Sequence, residues 1–437
     1  MVCRVAVRRG AVVLAVAVGA GIVAAPAAAL TTEINNVVGS LSANGRFVSF
    51  TTYTTYEADT GYTESDVFVR DRRAGITHRV NTGPGGVAGD GMAVDSSLSA
   101  DGHLVAFSSD SSNLADGGGR GWNVFVRDLR DGDVRRVSVN SSGSPGNSAS
   151  YAPAISSDGR FVVFSSDASN LVPGDTNGER DVFVHDLWAG GTQRVSVGGH
   201  NTQGAGSATS AALGAGGRFV VFSSEAGNLV PGDTNHASDV FIRDLVYRAT
   251  WRVSVDSHDR QGLGHSYAPA VSADGRFVAF LSAAANLVPG DTNDQTDVFV
   301  RDLWDHTTRL VSVGRRGAPA NNASWLVSLT ANGQFAAFTS AASNLVPGDR
   351  NGALDVFVRD LWYGRTLRVS CRRDDPPACG TYQRAVIASG GRYVAYTSRA
   401  RPAGTDRSAP RAIFRNEIYL RDLVTGSAEL VTVPPST

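Results

Sequence analysis

The sequence predicts an all-β fold, a seven-bladed β-propeller of four-stranded antiparallel blades. Three observations predict it: one phrase recurs at a fixed period along nearly the whole chain, each period holds four short strand signals, and no helical pattern separates the copies. The conspicuous part of the phrase is the stretch 170–187, N-L-V-P-G-D-T-N-G-E-R-D-V-F-V-H-D-L, which returns with small changes at 228–245, 286–303 and 344–361. An S-x-D-G-R-F-V-x-F phrase precedes each copy, and its glycine falls at Gly45, Gly102, Gly159, Gly217, Gly275, Gly333 and Gly391, spaced by 57 or 58 residues. Seven such periods fill the chain from about residue 30 and leave no room for a second domain.

In the third period the first strand is expected over 152–156, and Asp158-Gly159 turn the chain into a second strand over 160–165. After a long loop the third strand covers 181–186, and a fourth follows over 194–197. The second and third strands, F-V-V-F and D-V-F-V, are apolar on successive residues, as suits strands covered on both faces. A two-sheet sandwich would not need seven equal periods. The first copy begins with its innermost strand and the last ends with its outermost, so the ring should close by packing of blade one on blade seven without exchange of a strand.

Ahead of the repeats, Arg4, Arg8 and Arg9 are followed by an apolar segment, 11–25, and an Ala27-x-Ala29 site, the order of a cleaved signal peptide covering 1–29. The protein is therefore expected to be exported to the cell envelope or beyond, with no membrane span in the mature chain, and to be a monomer. Every basic residue is arginine, and loss of the three leader arginines moves the formal charge from -1 to -4. That balance offers nucleic acid no basic surface. Cys371 and Cys379, eight residues apart in an exported chain, are expected to form a local disulfide.

The repeated phrases S-x-D-G-R-F-V-A-F and D-V-F-V-R-D-L resemble the TolB-like, WD-repeat-like propeller repeats of bacterial exported proteins. The resemblance covers essentially all of the mature chain, and it implies binding and scaffolding more than catalysis.

Residues alike in every blade are most simply structural. Asp158-Gly159 and its equivalents make turns, and the Arg-Asp pair closing the third strand (Arg127-Asp128, Arg243-Asp244, Arg301-Asp302, Arg359-Asp360) should order the turn after it. Val172-Pro173-Gly174-Asp175 places Pro and Gly as a type II turn requires, and Leu171 should anchor the loop. Next comes a D-x-N-x-x-x-D pattern: Asp175, Asn177 and Asp181; Asp233, Asn235 and Asp239; Asp291, Asn293 and Asp297; Asp349, Asn351 and Asp355. Each set supplies three oxygen-bearing side chains from one loop, which suits Ca2+, a cation that takes six to eight oxygens. Turn capping by the same Asp and Asn side chains is the plainer reading.

Function is better sought where the blades differ. The connections from strand two to three and from strand four to the next blade are both long and emerge on one face, where rigid scaffolds usually carry their sites. The position eight before each repeat glycine leads into the innermost strand at the channel mouth on that face. It reads Val37, Val94, Tyr151, Thr209, Tyr267, Trp325 and Gln383, and its aromatics Tyr151, Tyr267 and Trp325 could stack on a sugar or grip a peptide. Four histidines, His200, His236, His258 and His265, fall on the same face without a metal-binding spacing. No G-x-S-x-G elbow is present, so no nucleophile stands out, whereas a two-carboxylate sugar-cleaving site stays open. The expected function is an exported binding module for a protein or glycan ligand. A propeller-borne lyase or glycosidase and a purely structural envelope protein are the alternatives.

Overall fold

The computed structural model describes residues 32–56, 63–115, 121–370, 384–400 and 415–432. The leader, the Cys371 and Cys379 pair, and Gln383 lie outside the described residues. Five four-stranded antiparallel sheets form blades two to six, and an eight-stranded sheet holds blades one and seven. In every blade the strands pair in chain order, from innermost to outermost.

The doubly apolar strands are buried on both faces as expected. In blade three Val162, Val163 and Phe164 of the second strand (Phe161–Ser166) and Val182, Phe183 and Val184 of the third (Asp181–Asp186) are almost entirely inaccessible. One stacked ring pair fills each blade, from Phe50 and Phe68 in blade one to Tyr396 and Tyr419 in blade seven. Such pairs contribute about 0.5–1.5 kcal/mol beyond burial.

The fourth strand differs from the expectation, running over Thr192–Arg194 and not 194–197. Val195 and Val197 are buried as their alternation suggests, but the Ser196 hydroxyl, accepting from the Val182 N–H at 3.1 Å, takes over the pairing and ends the ladder. The innermost strands are bulged. In blade three the register slips between Val163 and Ser165, and residue 152 enters the left-handed region. Asp95, Ala152, Ser210, Ala268 and Leu326, at equivalent positions in five blades, all have φ between 49° and 54°. A bulge with a left-handed residue re-aims side chains, here along the channel wall, at a cost of roughly 1–2 kcal/mol for a residue other than glycine.

Blades are joined to one another by the residues they share. The glycine of each D-G-R turn is left-handed, and a Cβ on Gly217 would lie 2.2 Å from the Phe161 ring of the preceding blade. The same contact pairs Gly102 with Phe47, Gly275 with Phe219 and Gly333 with Phe277, and it closes the ring by pairing Gly45 with Tyr393. The arginine ending the third strand reaches the blade before it: Arg127 donates to the Thr82 carbonyl at 2.8 Å and Arg301 to the Asp256 carbonyl at 2.8 Å. Its neighbouring aspartate orders the turn. Asp186 accepts the N–H groups of Trp188 and Ala189 while its carboxylate pairs with Arg160 at 2.6 Å.

At the closure the innermost strand of blade one (Thr32–Leu41) pairs along its length with its own neighbour (Phe47–Tyr56). One parallel bridge, Asn35 to Asn416, extends the sheet into blade seven, backed by the Asn36 side-chain amide donating to the Asn416 carbonyl at 2.8 Å. Blade seven keeps four strands of its own. Among the described residues the ring therefore closes without strand exchange, with this single bridge added to the expected packing.

Candidate functional site

The long connections share one face. Tyr151 pairs with Ser165 near the start of its strand, where the second strand ends and the loop 167–180 begins, so the channel mouth opens on the loop-rich side. Two long loops are stapled together there: the Asn170 amide donates to the Pro145 carbonyl and accepts from the Asn147 N–H, and Asn228, Asn286 and Asn344 repeat the arrangement. Leu171, Leu229, Leu287 and Leu345 anchor these loops in the core. Gly174, Gly232, Gly290 and Gly348 have φ between 73° and 84°, as the third residue of a type II turn requires.

The three predicted aromatics stand at the mouth, each on its own blade, and the described residues show no ring contact among them. Tyr151 is half-buried in a small cluster of its own. Trp122 lies 6.1 Å away, and the Arg180 guanidinium sits 5.1 Å over the tyrosine ring, itself held by a two-pronged pair with Asp167. Tyr267 packs partly against the core shared by blades five and six, whereas Trp325 is 36% exposed. Trp122 and Arg180 were not found by sequence reasoning, although they share one repeat column, the residue before the third strand, with Ser238, Thr296 and Leu354; that column was not compared across the blades.

The opposite sector of the mouth is charged. Asp95, at the left-handed bulge of blade two, faces Arg384 of blade seven and Tyr53 of blade one. Burial pushes the Asp95 carboxyl and the Tyr53 hydroxyl up and the Arg384 guanidinium down, and attraction between Asp95 and Arg384 opposes the shifts of both charged groups. Asp95 has accessible surface yet is hemmed in by protein, as a side chain on a narrow channel wall would be. The bulge position in the intervening blades carries Ala152, Ser210, Ala268 and Leu326. The mouth thus has a charged sector over blades seven, one and two and an aromatic sector over blades three, five and six.

The D-x-N-x-x-x-D loops lie on this face, at the entry to the third strands. In blade three Arg194 of the outermost strand stands between the carboxylates, 3.2 Å from Asp175 and 3.1 Å from Asp181. Arg252 takes the same place between Asp233 and Asp239, and Arg368 between Asp349 and Asp355. The asparagines Asn177, Asn235, Asn293 and Asn351 donate to the second aspartate of their own loop. In these three blades the positive charge facing the carboxylates comes from the protein. Among the described residues no three His, Cys, Asp or Glu side chains group as a metal set. The four histidines stay apart; His265 Nδ1, for one, meets the Ser238 N–H at 3.1 Å.

The other face carries aromatics that sequence reasoning passed over. Trp188, 70% exposed, and Trp304, 65% exposed, follow the third strands, as does Tyr247. Each is stacked on the arginine of its D-G-R turn, with Arg160, Arg218 and Arg276 at 5.1, 4.9 and 4.8 Å from the respective rings. The signal was an aromatic one or two residues after the R-D-L or H-D-L phrase.

No known protein family and no curated protein matches the chain in sequence. Among solved structures it is similar to the β-propeller domain of the Trilobed protease from Pyrococcus furiosus, described as having an open velcro topology. The identity is 10%, the TM-score 0.55, and the match covers 92% of this chain and 97% of that one. It is also similar to a puromycin-hydrolyzing peptidase of Mycobacterium tuberculosis, at 13% identity and a TM-score of 0.51, covering 90% of this chain and 53% of that one. This chain spans about half the length of that peptidase. A putative TolB from Agrobacterium tumefaciens matches at 11% identity and a TM-score of 0.43, over 77% of this chain and 88% of that one. At these identities the likeness defines a class by fold alone: the chain is a β-propeller. No helix among the described residues is long and apolar enough to cross a membrane.

Proposed function

We propose that this protein is an exported binding module that holds a ligand at the channel mouth of its loop-rich face. The observation that carries the reading is the division of one mouth into two unlike sectors. Tyr151 with Trp122, Tyr267 and Trp325 offer apolar faces, and Asp95, Arg384 and Tyr53 offer an accessible carboxylate, guanidinium and phenol. Sugars present both an apolar ring face and a ring of hydroxyls, and a site with aromatic platforms and convergent charged hydrogen-bonding groups suits both. A glycan is therefore favoured over a protein partner.

The test is a screen of glycans and peptidoglycan fragments on the mature protein, repeated with Tyr151→Ala and Asp95→Asn. The expected result is a ligand whose affinity falls at least about tenfold in each variant while the melting temperature stays close to that of the parent, tenfold being about 1.4 kcal/mol. Binding that survives both substitutions overturns the reading, and silence across the screen moves it to a protein partner.

A sugar-cleaving role draws on one observation, the raised Asp95 carboxyl beside Arg384 and Tyr53. Paired-carboxylate glycoside cleavage needs a second acid roughly 5–9.5 Å away. Turnover of a bound glycan, abolished by Asp95→Asn, would establish it.

A further inference from the structure

Blade five departs from blades three, four and six at the D-x-N-x-x-x-D loop. The position of Arg194, Arg252 and Arg368 is taken by Leu310, which packs against the apolar core of blades four and five. The position of Gln203 and Gln261, whose amides donate to Asp175 and Asp233 in blades three and four, is taken by Pro319. The backbone is otherwise the same, with Val313 and Pro319 bridged as Val255 and Gln261 are. The acids remain. Asp297 is fully buried, bonded to Ser312 and Asn293 at 2.5 and 2.6 Å, and Asp291 is only 9% exposed. Asp291 Oδ1 is buried and has no hydrogen-bond partner.

Two carboxylates close enough to repel are therefore buried here without the guanidinium that balances them elsewhere. Burial, with Asp291 adding to it, pushes Asp297 up to about 6, and the charge of Asp294 adds to the burial that raises Asp291. Blade five alone carries an acid at position 294, where its counterparts are Gly178, His236 and Gly352. An unpaired buried carboxylate costs several kcal/mol unless it takes a proton or gains a cation.

In blades three and four the oxygens that hold the guanidinium are the two carboxylates and the carbonyl of the turn glycine, Gly174 at 3.2 Å and Gly232 at 3.4 Å. Their counterparts in blade five are Asp291, Asp297 and Gly290. We propose that blade five binds a hard divalent cation, Ca2+, between Asp291 and Asp297 with the Gly290 carbonyl, in the place an arginine side chain fills in blades three, four and six. A carboxylate pair with a backbone carbonyl is the oxygen set calcium prefers, and its flexible coordination lets water supply the rest. Placing the ion in blade five alone narrows the four-blade expectation drawn from the repeated motif, because the other three sites already hold their cation as a side chain.

The test uses calcium alone. The EDTA-treated protein, its Leu310→Arg variant and its Arg252→Leu variant are melted with and without Ca2+ against an NaCl control of equal ionic strength, and calcium binding is followed by calorimetry. The parent should gain about 2–4 °C at saturating calcium. Leu310→Arg should lose that gain and bind no calcium, while melting no lower than the calcium-free parent. Arg252→Leu, if it folds, should acquire a second calcium site. A parent with no binding heat and no melting shift beyond the NaCl control overturns the proposal and leaves the pair sharing a proton. So does a Leu310→Arg variant that keeps the full calcium response.

Discussion

The two faces of the disc are built on opposite principles. On the tight-turn face most blades repeat the same three contacts: a left-handed glycine against the ring of the blade before, an arginine paired with the turn aspartate, and that aspartate capping the next turn. Leu104 replaces the ring facing Gly159, and His103 and Gln334 replace the arginine in blades two and six. On the loop-rich face the backbone repeats but the side chains do not, so one mouth holds Asp95 and Arg384 across from Tyr151 and Trp325. Repetition is what ring closure requires, since each blade must fit its neighbour on both sides. Variation is what a single asymmetric ligand requires. The comparison implies that substitutions on the first face cost stability and leave binding intact, and that substitutions at the mouth weaken binding.

The sharpest way to break that comparison is Gly217→Ala. Its φ of 70° disfavours any Cβ, and the new atom would sit 2.2 Å from the Phe161 ring, which must shift within a packed seam. Left-handed strain of roughly 1–2 kcal/mol and overpacking of roughly 1–3 kcal/mol add to an expected loss of about 2–5 kcal/mol. Chemical denaturation measures it. A loss below about 0.5 kcal/mol would mean that the seam yields freely and that the repeated glycine does not set blade contact.

A smaller effect is expected from acid. Asp71 and Asp186 are each drawn down to about 2, first by the hydrogen bond from Arg46 or Arg160 and further by backbone N–H groups of the turn. A carboxylate whose folded pKa lies below its unfolded value adds stability above the unfolded value, near 3.9, and that stability is lost as pH falls towards 2. The partner arginines are open to solvent, so screening keeps the contribution of each pair small. Melting temperature should therefore fall between about pH 4 and pH 2. Asp186→Asn, which keeps an oxygen for the turn N–H groups and gives up the ion pair, should flatten that fall. An unchanged acid profile would show that the pairs contribute nothing.

How far the sequence could be read follows from how local each feature is. F-V-V-F and D-V-F-V declared strands buried on both faces because their partners lie in the same blade, and Asp158-Gly159 declared its turn because the turn needs no other residue. The bulge at Ala152 was illegible, since its left-handed residue is not a glycine and its cause is register with the next strand. The counter-charge of Asp181 sits at Arg194, in a different strand, and so D-x-N-x-x-x-D read by itself suggested a metal in four blades alike. Comparing Arg194, Arg252, Leu310 and Arg368 as one column would have separated blade five from the rest. The grouping of Tyr53, Asp95 and Arg384 had no sequence signal, because ring closure brings blade seven beside blades one and two.

The finest distinction between the faces lies in two tryptophans. Trp325 stands at the mouth, and Trp304 stands on the tight-turn face, 4.8 Å from Arg276. Trp304 is 65% exposed, so replacing it by alanine removes little buried area and should cost less than about 1 kcal/mol of stability, whereas Trp325, 36% exposed, has most of its surface covered and should cost roughly 1–3 kcal/mol. A ring at a ligand site also stacks on the ligand, so Trp325→Ala should weaken glycan binding at least about fivefold, roughly 1 kcal/mol. Trp304→Ala should leave binding within about twofold, its ring being engaged by Arg276 on the far side of the disc. If Trp304→Ala weakens binding and Trp325→Ala does not, the ligand docks on the arc of Trp188, Tyr247 and Trp304. The repeated face would then carry function as well as closure.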